Sequence, residues 1–119
     1  MLVTERQASQ TGCFAHMTKE SAVRWVAIFD EPVSMSEARR EREEDHFAYL
    51  REHVDEVLVA GGLRDVPGGR FVGGMWIFEV VSRERAVELI ENDPYFLHSR
   101  RKYRLCVWGK ALPEVPAVL

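Results

Sequence analysis

Four histidines, His16, His46, His53 and His98, are the side chains of this sequence best suited to moving protons or binding a metal near neutral pH. His46 and His53 stand seven residues apart. On a helix they would share a face but lie ~10 Å apart along the axis, too far to hold one ion directly. No His-Glu-x-x-His run occurs, and a metal site would need His98 or a carboxylate brought in by the fold. The ligand set is incomplete, so the expectation is no metal and no cofactor. Taken alone, His46 reads as a solvated residue on a charged segment, although an ordinary pKa near 6.5 suits it to acid–base work. Asp93-Pro94 reads alone as an N-cap and first-turn proline opening a short turn through Tyr95 and Phe96.

Other chemistry-bearing groups are weaker. Six of the eight glycines fall at Gly61, Gly62, Gly68, Gly69, Gly73 and Gly74. A phosphate cradle would need such a run to end in Gly-Lys-Ser/Thr and a helix, whereas this one ends in a strand, so a hairpin with tight turns is expected. Arg42 and Tyr49, one turn from His46, could meet an anionic substrate, but a solvated helix surface explains both. The basic run Ser99-Arg100-Arg101-Lys102 reads as a solvated turn before the last strand.

The elements that must position these residues follow from pattern. Arg24-Trp25-Val26-Ala27-Ile28-Phe29 is rich in β-branched and aromatic residues and closed by Asp30-Glu31-Pro32, which predicts a strand and a loop. From Ser36, a candidate cap, a charged segment begins in which Ala38, Phe47, Leu50 and Val54 can share one side of a long helix. Val57–Leu63 and Gly74–Val81 predict two further strands. Ser82 caps a second helix running to about Asn92, with Ala86, Leu89 and Ile90 inward, and Tyr103–Trp108 predicts the last strand. The order β-α-β-β-α-β is the split βαβ arrangement of an α+β ferredoxin-like fold, with two helices on one face of a four-stranded antiparallel sheet. We expect an arm over residues 1–22, a domain over 23–112 and an extended, proline-containing tail over 113–119.

Such a sheet should alternate apolar and polar residues. Here Trp25, Ala27 and Phe29 stand opposite Val26 and Ile28, while Trp76, Phe78 and Val80 stand opposite Met75, Ile77 and Val81. Both faces are apolar, which points to a homodimer with sheets facing each other and pockets at the sheet–helix margins.

Composition sets the outer bounds. The chain has 119 residues, 46% hydrophobic and 29% charged, with Lys+Arg 16 against Asp+Glu 19. That is the size of one domain rather than a multidomain enzyme. The formal charge of -3 gives no broad basic field, so nucleic acid is a poor partner. No apolar run approaches the ~20 residues of a spanning helix, and no secretory signal opens the chain. Cys13 and Cys106 form neither a CxxC pair nor a disulfide framework, which suits a reducing compartment and a cytoplasmic location, though a single bond between them stays open.

Four segments then acquire joint meaning: His46-Phe47-Ala48-Tyr49-Leu50, Val59-Ala60-Gly61-Gly62-Leu63, Gly73-Gly74-Met75-Trp76-Ile77, and Ala86 through Asp93-Pro94-Tyr95-Phe96. Together they resemble the YCII-related family of small ferredoxin-like proteins, over roughly Trp25 to Trp108. The chain departs from the family pattern at Gly62, where many members carry proline. The resemblance implies a dimeric α+β barrel in which His46 and Asp93 form the active-site pair, the histidine transferring a proton and the carboxylate holding its tautomer. A wall of Trp25, Trp76 or Trp108 would complete a pocket. The implied activity is isomerisation, elimination or a lyase-type step on a small cyclic or aromatic molecule. The alternative is a non-catalytic small-molecule-binding or interaction module of the same fold.

Overall fold

The computed structural model describes residues 23–119; the expected arm, with Cys13 and His16, lies outside the described residues. Strand β1 (Val23–Phe29) is followed by helix α1 (Ser34–Glu52), the hairpin of β2 (Val57–Arg64) and β3 (Phe71–Val80), helices α2 (Arg83–Glu91) and α3 (Pro94–Ser99), and strand β4 (Tyr103–Val107). The strands form one sheet in the order β2-β3-β1-β4. All three pairings are antiparallel. This is the α+β ferredoxin-like topology that the pattern predicts, and the short Asp93-Pro94 turn is a helix of six residues.

Period-two alternation assigns the inner face. Ala27, Phe29, Trp76, Phe78 and Val80 are buried there with Val57 and with Ala86, Leu89 and Ile90 of α2. Burying one such large apolar side chain contributes about 1.5–3 kcal/mol, so this layer fixes the sheet to the helices. Ser82 caps α2 as expected, its hydroxyl accepting from the Arg85 backbone N–H at 3.1 Å. Arg85 then clamps Glu56 through two hydrogen bonds of 2.9 and 2.7 Å, tying α2 to the start of β2.

Helix α1 departs from expectation in two ways. It begins at Ser34, and Ser36 lies inside it with its hydroxyl donating back to the Val33 carbonyl, so Ser36 is not the cap. Its buried residues are Met35, Ala38 and His46, whereas Phe47 is 42% exposed and Val54 lies beyond the helix end. Met35 and Ala38 pack on Tyr95 of α3, and Tyr49 and Leu50 rest against the main core, so α1 docks through these few apolar side chains and through polar ties.

The outer face of the sheet carries Val26, Ile28, Met75 and Ile77 on the central strands. Val59 and Leu63 on β2 are exposed. Beyond β4 the tail is exposed and forms no helix, making one turn, Val115 N–H to the Leu112 carbonyl. No helix among the described residues is long and apolar enough to cross a membrane.

Candidate functional site

A cavity of about 240 Å³ opens where α1 crosses the inner face of the β2–β3 hairpin. Helix α1 contributes Arg39, Glu43, His46, Phe47 and Leu50, a stripe spaced by four, three, one and three residues that stays on one side of an α-helix. The hairpin contributes Ala60, Gly61, Gly62, Phe71 and Trp76, and Tyr95 and Arg101 close the end. An engineered cavity of about 150 Å³ accepts benzene, so this volume suits one substituted ring. Of the three tryptophans proposed for the wall, Trp76 alone lines it. The hairpin permits the close approach because a Cβ at Gly62 would run into the Phe71 ring, which itself lies between Arg39 and Arg64, their guanidiniums 3.8 and 4.1 Å from its centroid.

His46 is 6% exposed, so it is a buried residue and not the solvated one that its charged neighbours suggest. Its Nδ1 lies 2.5 Å from Asp93 Oδ1. A carboxylate only accepts hydrogen bonds, so the Nδ1–H donates and the Nε2 lone pair is left for other partners. Nε2 has no hydrogen-bond partner among the described residues. The ring is stacked on Tyr95, with centroids 3.8 Å apart and planes 11° from parallel, and Trp76 stands 6.3 Å away. Tyr95 therefore packs and orients the imidazole.

Asp93 occupies the N-cap position of α3 with Pro94 in the first turn, as its dipeptide predicts, yet its side chain makes no cap hydrogen bond. The carboxylate turns inward instead, 1% exposed, and reaches α1. An N-cap residue ordinarily satisfies an orphan N–H of its own helix, so forgoing that bond for His46 is the local cost of the pair. Asp93 lies behind the imidazole and does not itself line the cavity.

Two arginines belong here as well, Arg39 from the charged segment of α1 and Arg101 from the run that reads as a solvated turn. Arg39 is held by Glu31 through hydrogen bonds of 3.0 and 2.8 Å. Arg101 is 3% exposed, packs its guanidinium 4.1 Å from the Phe29 centroid, and approaches Asp93 Oδ2 at 3.9 Å. Burial pushes Arg101 down to about 10, opposed by the Asp93 charge and assisted by the like charge of Arg39. A signal for it existed. Arg101, Tyr103 and Leu105 share the parity of the inner face, so the alternation of β4 extends back through the basic run.

The remaining candidates are accounted for by other contacts. Tyr49 donates to the Leu89 carbonyl at 2.7 Å, and Arg42 pairs with Asp45 at the surface. His53 lies beside Glu52 and Tyr49 at the end of α1. His98 comes together with Glu37 and Glu41 rather than with His46, and the three place ligand atoms within 4.8 Å of one another at the protein surface, outside the cavity.

A family model described as the YCII-related domain matches residues 13–108. Among solved structures, the chain is similar to a 5-chloro-2-hydroxyhydroquinone dehydrochlorinase from Burkholderia phenoliruptrix AC1100, solved in complex with 2,5-dihydroxybenzoquinone. The TM-score is 0.58 at 24% identity, covering 71% of this chain and 93% of that one. No curated protein matches the chain.

Proposed function

Because the chain belongs to the YCII-related domain family, we propose that it is a small enzyme in which His46 and Asp93 move a proton on a small cyclic or aromatic molecule. The observation that carries this reading is the buried 2.5 Å contact between His46 Nδ1 and Asp93 at the wall of a ring-sized cavity. With Nδ1–H donated to the carboxylate, Nε2 accepts a proton from a substrate hydroxyl or ring carbon. Asp93 stabilises the imidazolium that results. The electron pair left on the substrate either migrates around the ring, giving isomerisation, or expels a leaving group such as chloride, giving elimination. The released proton then returns from Nε2 to the product or to water. Elimination accords with the dehydrochlorinase activity named for the structural relative.

The outer face of the sheet supports a second part of the proposal, a homodimer whose sheets face each other. Val26, Ile28 and Met75 are half-buried at its centre around the buried Ile77, and Val59 and Leu63 are exposed beside them. Contiguous apolar surface of this kind marks an association site. Sedimentation in dilute solution should report a dimer; a stable monomer overturns this part.

The test of the chemistry is to offer the protein chlorinated and unchlorinated hydroxyhydroquinones and follow chloride release and quinone absorbance. Turnover that disappears in Asp93→Asn and in His46→Gln supports the proposal. Saturable binding without turnover in any of these compounds favours the non-catalytic binding module instead.

A further inference from the structure

Arg101 poses a problem that the acid–base pair does not solve. A guanidinium carries five donors, and burying it is costly unless they are met. Here the side chain is 3% exposed, and Nε lacks a hydrogen-bond partner among the described residues. The ion pair with Asp93 is long at 3.9 Å, and Asp93 Oδ2 is itself without a hydrogen bond among the described residues. Arg39, the other cation of the same cavity, shows the contrast, since Glu31 meets it with two short bonds. Space for Arg101 is nevertheless built in. A Cβ at Gly74 would stand 3.1 Å from its Nη1, so a side chain there would press on the guanidinium. The left-handed turn at Arg100, φ 55°, ends α3 and feeds Arg101 to the inner face. The Phe29 ring under the guanidinium, at 4.1 Å, holds it flat at the cavity wall.

From this arrangement we propose that Arg101 is an anion receptor, and that the cavity takes a single-ring molecule bearing an oxyanion, a carboxylate or an ionised phenol or enol. The inference rests on the acid–base reading for its catalytic meaning but not for its binding chemistry. When His46 removes a proton, the substrate gains negative charge, and a fixed guanidinium in a dry wall stabilises that charge without reorganising. Arg101 thus selects anionic ligands before the reaction and supports the charge that develops during it. Asp93 links both halves, since Oδ1 faces His46 and Oδ2 faces Arg101.

The test uses the full chain and two matched pairs of probes, benzoate against benzamide and 4-nitrophenolate against 4-nitroanisole, with binding followed by calorimetry and by the ring resonances of His46. Wild type should prefer at least one charged probe over its neutral partner by about tenfold or more, the worth of a charge-assisted hydrogen bond. Preference in the benzoate pair assigns carboxylic acids, and preference in the phenolate pair assigns phenols or enols. Arg101→Gln should bring the ratio to about one while leaving the neutral probe bound, and Arg101→Lys should keep part of it. A purely structural role would weaken both members of a pair alike, and that result, or equal binding of charged and neutral probes to wild type, overturns the inference. If Arg101→Gln does not fold, the wild-type ratios and Arg101→Lys decide. His46→Gln separates the two readings. A preference that survives it and is lost in Arg101→Gln belongs to Arg101 whether or not the protein catalyses proton transfer; a preference that vanishes with His46 and survives in Arg101→Lys and Arg101→Gln alike overturns the receptor and leaves the pair standing.

Discussion

Helices α1 and α3 are joined by the same chemical contact at two places, and the two could hardly differ more in setting. Near the middle of α1, His46 meets Asp93 at 2.5 Å with side chains 7% and 1% exposed. Near its start, Glu37 meets His98 at 2.7 Å with the histidine 18% and the carboxylate 54% exposed. Glu37 precedes His46 on α1 while His98 follows Asp93 on α3, so the pairs are the two rungs of one antiparallel helix contact. A contact distance says little by itself; the medium decides what it can do. In water the charges are screened and either partner can be replaced by solvent, whereas in a dry wall the carboxylate fixes the tautomer and any proton gained by the ring is felt in full.

The comparison is broken most decisively by rate. On any substrate the protein turns over, Asp93→Asn and His46→Gln should each lower kcat/KM by about 10²–10⁴, the usual contribution of a positioned general base. Glu37→Gln should leave it within about twofold, since an exposed pair is worth at most about 1 kcal/mol. Equal losses in both variants would mean that the buried pair acts only by holding α1 to α3.

Stability provides the next contrast. Removing one partner of a buried pair leaves the other uncompensated, so Asp93→Ala should destabilise the fold by roughly 3 kcal/mol, measured by urea unfolding. Arg101 loses its counter-charge in the same variant, and the double variant Asp93→Asn with Arg101→Gln should be less destabilised than the sum of the two single changes. An additive result would show that the 3.9 Å contact carries no coupling.

How far the two rungs could be foreseen follows from what a sequence encodes locally. Strands were legible because Trp25–Phe29 and Met75–Val80 are β-branched and aromatic, and Ser82 was legible as a cap because that role depends on its own hydroxyl and the N–H three residues on. His46 was legible as a candidate through its family resemblance, and not as a buried residue, because it reads with the charges of α1 and not with Ala38, Phe47, Leu50 and Val54, the apolar positions assigned to the inner side. Asp93 was legible as an N-cap position, but the choice of its carboxylate between the helix N–H groups and His46 is made by the packing of α3 on α1. Arg101 was hidden for a similar reason. Three basic residues in a row suggest solvent, and only the parity shared with Tyr103 and Leu105 distinguishes the one that turns inward.

A third tie on α1, between the two in strength, sharpens the role of the medium. Tyr49 donates to the Leu89 carbonyl, and burial first, then the Asp93 charge, pushes its phenol up to about 12. A folded-state value above the unfolded value near 10 means that the folded protein holds this proton more tightly. The stabilisation is therefore fully present below about pH 10 and is lost as pH rises through about 12. Burial also pushes the Tyr103 phenol up to about 12, so ultraviolet titration should find late-ionising phenols, one fewer in Tyr49→Phe, and Asp93→Asn should move the Tyr49 step downward. Loss of the single hydrogen bond in Tyr49→Phe should cost about 1 kcal/mol.

The outer rung should give the smallest effect and the clearest control. Glu37→Gln or His98→Asn should change stability by only about 0.2–0.5 kcal/mol at low salt, and by nothing measurable at about 1 M salt, where screening reaches ~3 Å. In the same samples the Nδ1 proton of His46 should give a slowly exchanging, downfield ring resonance, since both it and its acceptor are buried, while the Nε2 proton of His98 exchanges with solvent and broadens. Salt should leave the first resonance in place. If salt instead moved both histidines alike, water would have access to the inner pair, and the low-dielectric wall on which its proposed chemistry depends would not exist.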